Sequence, residues 1–517
     1  MKYCFLLLFI INSLFLRAGN EVVTGVVFID ENNNGLYDKG EAPLEGVLVS
    51  NQLEVVASDK KGRYQLPLRD GAFIYVVKPK GYQVITDSLN IPRYFYFHHT
   101  NGAPKNLTYK GVEPTGVAPE TIDFPLIPME EKKRFRMLAL GDPQTPNDQT
   151  LDYFRDGSVA DMFRHQADFY MIHGDIADDN LDIYPREKAI MSQLGIPGYH
   201  VPGNHDVNYK SEHRNNDFET YRKAFGPDYF SFDYGDVHFI VLNNISYKGW
   251  NQEQNKRGHY VGKLDSVQLE WLKNDLNHVP NDRLIVINSH IPFVEDDTQK
   301  ESIISLHDLL IERTKVLSLS GHIHQVKTWQ LNKENYWEYA GSHEGVNVGA
   351  TCGSWWSNPK DENGIPVSTC QDGSPKGYFV FDFEGSNYSY EFIPIHYDDA
   401  FQIRISSPLG RIKQEELDSS KIVINWFVGK PHQKVEVRID GGEPFLMKNF
   451  YGNDPFYEQT LGIRKTVPDW PPRAAKSSHM WKLPLPGNLR KGTHRIEVTA
   501  YGENDKVFKA YKIIEIE

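Results

Sequence analysis

The chain has 517 residues, a formal net charge of −13, 40% hydrophobic and 13% aromatic residues. That length suggests about three domains, and the apolar share suits ordinary globular cores. The acidic balance argues against nucleic acid as the main partner, because phosphate-backbone binding uses clustered Lys and Arg.

Residues 1–19 read as a secretory signal, with Lys2 as the charged start, an apolar run at 5–16 and Ala18 or Gly19 as the small cleavage residue. The run is shorter than the roughly 20 apolar residues a membrane span needs, and Asn12 and Ser13 interrupt it. Export to the periplasm or cell surface is therefore expected, with no transmembrane span. Cys4 would leave with the signal. Cys352 and Cys370 would remain and are expected to pair, a closure worth roughly 3 kcal/mol in the chain-entropy picture.

Residues 20–130 show period-two patterning at 22–29, 46–50, 53–58, 62–66 and 73–78, with a last strand at 121–127. This predicts a small antiparallel β domain with one buried face; the Pro-, Gly- and Asn-rich residues 91–120 read as loop. Within it, residues 30–41 place oxygen donors at Asp30, Asn32, Asn34, Asp38 and Glu41, with Gly35 at the turn. That is twelve-position calcium-loop spacing. A strand leads in where a sensor would have a helix, so a structural calcium is expected. The segment resembles the calcium-stapled loops of Sdr-type B repeats in bacterial surface proteins.

Residues 131–396 alternate strand and helix signals, which implies a layered α/β fold. Helical spacing marks 148–164, 186–194, 266–277 and 302–313, with Asp265 and Ser305 as cap candidates. A hairpin is predicted over 229–243, and further strands at 326–340, 345–350 and 377–393. Residues 397–517 are strand-like at 401–406, 421–427, 434–439, 493–501 and 508–516, as in a β-sandwich. Residues 468–473 form a Pro-rich loop with no evident chemistry.

Five short apolar runs in the central region, 135–140, 168–173, 198–202, 284–289 and 315–320, read as buried strands. Straight after them come Gly-Asp-Pro-Gln (141–144), Gly-Asp-Ile-Ala-Asp-Asp (174–179), Gly-Asn-His-Asp (203–206), His290 and Gly-His-Ile-His (321–324). Ligands of open α/β sheets bind outside the carboxyl ends of the strands, so carboxylates, an amide and imidazoles converge on one edge. They are hard-to-borderline metal ligands without a thiolate.

These five blocks, in this order over residues 136–325, resemble the calcineurin-like metallophosphoesterase superfamily. The flanking regions resemble the N- and C-terminal accessory domains of a bacterial subfamily. The resemblance implies a layered β-sandwich flanked by helices, with a small β domain before it and a β-sandwich after it. It implies that Asp142, Gln144, Asp175 and His324 hold one metal, and that Asp175, Asn204, His290 and His322 hold the other. The metals would be Mn, Fe or Zn, with a bridging hydroxide as nucleophile. His205 would act as general acid or phosphoryl donor, and Asp206 would orient it. Gln144 stands where many members have His, and its oxygen is a harder, weaker ligand than an imidazole nitrogen. Asp178 reads as a supporting residue and Asp179 as solvated. His173, His200, His238 and His343 lack motif support and read as structural.

Trp355 and Trp356, after Cys352, are candidates for an apolar wall against a lipid, sugar or base. The expected function is hydrolysis of a small-molecule, lipid or sugar phosphomonoester or phosphodiester. The alternatives are a surface or periplasmic binding protein with an inactive central domain, and a pyrophosphate-bond hydrolase on nucleotide- or lipid-linked diphosphates.

Overall fold

The computed structural model describes residues 22–130, 132–294, 298–357, 359–463 and 473–517. The expected signal at 1–19, with Cys4, and most of the loop at 468–473 lie outside the described residues.

The central region is a two-sheet sandwich. One sheet runs in the order Gly198–Val201, Phe169–His173, Arg134–Leu140, Gly377–Glu384, Asn387–Pro394. The other runs Phe230–Tyr234, Val237–Val241, Leu284–Asn288, Lys315–Ser320, Ser342–Val348, Val326–Gln330. Alternation along the strands decides what each face meets. Phe135, Met137, Phe169 and Tyr199 point into the space between the sheets, where Tyr199 stacks on Phe232 at 4.1 Å and Phe169 meets Phe239 edge-on at 5.4 Å. Leu138, Leu140, Tyr170 and Ile172, one residue out of phase, pack with Leu151, Phe154, Ile190 and Met191 of the helical layer. The fully buried strands are continuous apolar runs, as parallel strands covered on both faces should be.

The strands Arg134–Leu140, Phe169–His173 and Gly198–Val201 pair in parallel. So do Val237–Val241, Leu284–Asn288, Lys315–Ser320 and Ser342–Val348. All five motif blocks therefore leave carboxyl ends of parallel strands.

Local expectations fare unevenly. Asp265 caps the helix Ser266–Leu276 by accepting from the Gln268 amide. Ser305 lies inside the helix Lys300–Leu309 and caps nothing. The helix expected at 148–164 is interrupted by a π-helical stretch, Phe154–Val159. The helix Glu219–Phe225 has no counterpart in the sequence reading.

Residues 22–130 form two four-stranded sheets. They are not purely antiparallel: Val22–Ile29 pairs in parallel with Phe124–Pro128, because the chain makes a long excursion before returning. That excursion includes a strand, Phe95–His98, in the stretch expected to be loop. The C-terminal region is again two sheets, holding Trp426 and Trp481 in its core. It docks on the central region through Lys430–Glu344 at 3.0 Å and His479–Asp372 at 3.1 Å. Its buried Tyr457 also meets the Ser354 hydroxyl at 2.8 Å, next to Trp355. No helix among the described residues is long and apolar enough to cross a membrane.

Candidate metal centre

The motif loops are backbone devices before they are ligand sets. Asp142, Gln144, Asp175, His322 and His324 all have positive φ, between 42° and 73°. Non-glycine residues in this left-handed region cost about 1–3 kcal/mol each and collect at functional sites. The glycines between them permit close approach. A Cβ on Gly203 would lie 2.0 Å from the Asp175 amide, and one on Gly321 would lie 2.6 Å from an Asp142 carboxylate oxygen.

Cross-bonds tie the loops together. The Gln144 amide donates to Asp175 O at 2.8 Å and the His205 amide to Asp175 Oδ1 at 2.8 Å. The His322 amide donates to both Asp142 oxygens, at 3.0 and 3.1 Å.

Two imidazoles have their tautomers set by carbonyls, which can only accept. His290 Nδ1 donates to His173 O at 2.8 Å and His324 Nδ1 to Gly353 O at 2.6 Å. In the neutral imidazole the Nε2 atom is then the acceptor. His290 Nε2 lies 3.2 Å from Asp175 Oδ2, 3.0 Å from Asn204 Oδ1 and 3.2 Å from His322 Nδ1. Four acceptor-type atoms from four loops so meet at one point. Beside them His324 Nε2 lies 3.6 Å from Asp142 Oδ1. Gln144 gives its amide N–H to Asp178 at 3.5 Å, while its Oε1 is buried with no partner among the described residues. Convergent acceptors and an orphaned amide oxygen are what cations would satisfy, so the residues present fit two metal positions.

The electrostatics are those of a dense buried cluster. Burial lifts the Asp142 carboxyl well above its usual range, with the Asp175 charge adding to it. Burial acts the same way on Asp175, but His290 and His205 override it and hold that carboxyl low. Burial lowers the His290 imidazole, and Asp175 more than reverses this, to about 9. His324 is lowered by burial to about 4.

His205 and Asp206 separate. His205 Nδ1 faces Asp179 Oδ1 at 3.0 Å and Asp178 Oδ1 at 3.1 Å. The expectation that Asp206 orients His205 is corrected. Fully buried Asp206 accepts from the Ile176, Ala177 and Gly203 amides and the Tyr184 hydroxyl, so it braces the two ligand loops. Asp179, expected to be solvated, takes its place beside His205.

The two tryptophans separate as well. Trp355 is 38% exposed and stacks on the His324 ring at 4.4 Å. Trp356 is buried, donates its indole N–H to Pro143 O at 2.9 Å and packs near Tyr153, so it is no candidate substrate contact. Cys352 and Cys370 are buried free thiols, which corrects the expected disulfide.

Three residues at the site escaped the sequence reading. Arg257, from the small hairpin of Trp250–Asn251 and Lys256–Arg257, hydrogen-bonds Asp179 and the Asn204 carbonyl. Tyr109, from the N-terminal region, donates to Asp179 O at 2.8 Å. Tyr260 meets the His322 ring edge-on at 5.8 Å. None sits in a motif; the only signal was aromatic residues interleaved with cations over 247–260.

In the calcium-like loop, Asp30 accepts from the Asn34 and Gly35 amides and Glu41 from the Glu31 and Asp38 amides. Asp38 accepts from the Asn32 and Asn34 side chains, which lower its pKa. All five expected ligands are thus gathered on one turn.

Comparison with known proteins matches three family descriptions in succession: "N terminal of Calcineurin-like phosphoesterase" over residues 31–113, "Calcineurin-like phosphoesterase" over 135–326 and "C terminal of Calcineurin-like phosphoesterase" over 346–508. The middle match contains every residue of the metal cluster. A probable glycerophosphodiester phosphodiesterase of Arcobacter nitrofigilis is 29% identical over 32% of this chain and 60% of its own length. A 3′,5′-cyclic-nucleotide phosphodiesterase of Nostoc is 26% identical over 34% of this chain and 62% of its own. The chain thus spans about 60% of the length of these curated relatives. Among solved structures, a dimetal phosphatase from Danio rerio aligns with a TM-score of 0.33 and 13% identity, over 50% of this chain and 98% of that one. With its N-terminal, core and C-terminal parts all matched, the chain belongs to the calcineurin-like phosphoesterases.

Proposed function

We propose that the chain is an exported hydrolase of small phosphate esters, holding two divalent or mixed-valence metals (Mn, Fe or Zn). The observation that carries the metal reading is the meeting of His290 Nε2, Asp175 Oδ2, Asn204 Oδ1 and His322 Nδ1, together with a buried Gln144 Oε1 that has no partner among the described residues. Asp142, Gln144, Asp175 and His324 would hold one metal, and Asp175, Asn204, His290 and His322 the other. Such a pair supplies a water ionised at neutral pH and positive charge for the phosphoryl oxygens.

The chain's own residues supply orientation and the proton. Asp175 would join the two positions, and the carbonyl-held His290 and His324 keep their Nε2 atoms inward. His205 lies at the rim with its Nδ1 held by Asp178 and Asp179, which leaves Nε2 to give a proton to a leaving oxygen. Trp355 forms a wall above His324 for an apolar or ring-shaped part of the substrate. The names of the two curated relatives favour diesters over monoesters. The N-terminal run with Lys2 and the apolar residues 5–16 supports export. The donor spacing of Asp30 to Glu41 supports a structural calcium.

The test is metal analysis of purified protein with a panel of mono- and bis-nitrophenyl phosphates, cyclic nucleotides, phospholipid head groups and sugar diphosphates. Hydrolysis with bound metal is expected, and Asp175→Asn should lose both. Full hydrolysis by Asp175→Asn would break the two-metal reading.

A further inference from the structure

Arg257 is a cation built onto the rim where the leaving group would sit. Its hairpin projects from the strands Ile245–Tyr247 and Tyr260–Gly262. One guanidinium nitrogen donates to Asp179 and lies 3.2 Å from His205 Nδ1; the other donates to the Asn204 carbonyl. The group lies 5.9 Å from the Tyr247 ring centroid and 6.0 Å from that of Tyr260. Its Nε is buried with no partner among the described residues, while the side chain as a whole is 22% exposed. A second cation, Lys210, lies against Trp250 and Tyr209 beside this hairpin.

The chemistry of leaving groups says what such a cation is for. An alcohol leaving as alkoxide needs a proton, and a general acid alone would serve it. A phosphate leaving from an anhydride is already a good leaving group but carries charge of its own. A fork of N–H donors suits it, since guanidinium–phosphate hydrogen bonds are charge-assisted and geometrically specific. Two donors of Arg257 are spent on fixing its plane against Asp179 and Asn204, and of the rest it is the terminal N–H groups of the 22% exposed side chain, not the buried Nε–H, that an incoming phosphate can reach. Two tyrosine rings limit its motion further.

We propose that Arg257 binds the non-scissile phosphate of a substrate with two phosphates joined by an anhydride, so that the substrate class is a diphosphate diester. This rests on the hydrolase reading and narrows it. In the reaction, the water oxygen bonds to the scissile phosphorus and the bond from that phosphorus to the bridging oxygen breaks. The bridging oxygen keeps the electron pair and leaves on the second phosphate. The products are two phosphomonoesters, each taking up one proton of the water.

The experiment uses the full, metal-loaded chain and two probes that share a nucleoside. Thymidine 5′-(p-nitrophenyl phosphate) has one phosphate; a thymidine diphosphate sugar has two. The ratio of their kcat/KM values is read for wild type, Arg257→Met and Arg257→Lys. Losing a charge-assisted contact made by only one probe should lower the ratio by about 30-fold in Arg257→Met, and Arg257→Lys should recover part of it. Equal losses on both probes, or none, would overturn the proposal, as would a wild type that cleaves only the one-phosphate probe; the hydrolase reading would survive each. A metal-loaded wild type that cleaves neither probe nor any member of the ester panel would overturn both.

Discussion

The Trp355 ring lies over the His324 ring with centroids 4.4 Å apart and planes 24° apart, while its neighbour Trp356 is buried against the loop that carries Gln144. Both have positive φ, 53° and 52°, so the backbone is bent to send successive large rings to different places. The C-terminal region supports this bend through Tyr457 and Ser354.

Different consequences should follow from removing each ring. Trp355→Ala loses a stacking surface on a ring that is 38% exposed, so relative kcat/KM values should change by about tenfold between esters with and without a ring. The unfolding temperature should fall less than it does in Trp356→Ala. Trp356→Ala removes a buried indole and its hydrogen bond to Pro143, which should cost about 3–5 kcal/mol. Equal effects of Trp355→Ala on all substrates would remove Trp355 from selectivity.

On the two-metal proposal, Gln144 would set the weaker of the two positions. Its Oε1 is a hard donor on a strained backbone, φ 42°, whereas imidazole suits Zn better. Gln144→His should therefore retain more Zn after dialysis against a graded chelator series, with roughly tenfold tighter binding of one ion per chain. Unchanged metal content across the series would show that Gln144 is not a ligand.

Much of the core of this site was legible because chemistry and period coincided. Asp142, Asp175, Asn204, His290 and His322 each end a short apolar strand, and parallel pairing brings such ends to one rim. Asp206 and Asp179 were assigned the wrong way round because sequence adjacency to His205 says nothing about direction. The turn at 203–206 points Asp206 back at the amides of Ile176 and Ala177, and lets Asp179 reach His205 from another loop. Arg257 was invisible for a related reason: its contacts are 78 and 53 residues away in sequence. The strand Phe95–His98 was hidden by turn-rich neighbours, and it forms by pairing with Ala72–Val76.

A calcium effect on stability follows from the loop between Asp30 and Glu41. Extracellular calcium modules bind in the range of about 10⁻⁴–10⁻³ M, so 10 mM calcium should stabilise the chain by about 1–3 kcal/mol through mass action. Glu41→Gln and Asp30→Asn should lower the unfolding temperature in calcium and lose most of that difference in chelator. An equal drop under both conditions would make the loop an ordinary turn, held by the amide hydrogen bonds of Asp30 and Glu41 alone.

His238 gives the fold an alkaline limit remote from the metals. Its Nδ1 meets Asp233 at 2.7 Å and its Nε2 meets Asp275 at 2.8 Å, while Arg283 pairs with the other Asp233 oxygen at 2.8 Å. Burial alone would lower this imidazole, but Asp275 and then Asp233 raise it from 6.5 to about 9. A base whose folded pKa is raised stabilises the fold fully below its unfolded value. That contribution is lost as pH rises from about 6.5 through about 9, and is worth on the order of 3 kcal/mol. Denaturant unfolding of wild type and His238→Gln, compared from pH 6 to pH 10, should show a gap that is widest at the acid end and closes by about pH 10. The comparison cancels other titrating groups. A gap that stays constant across this range would mean that His238 is neutral in the folded chain and serves only as a buried hydrogen-bonding spacer.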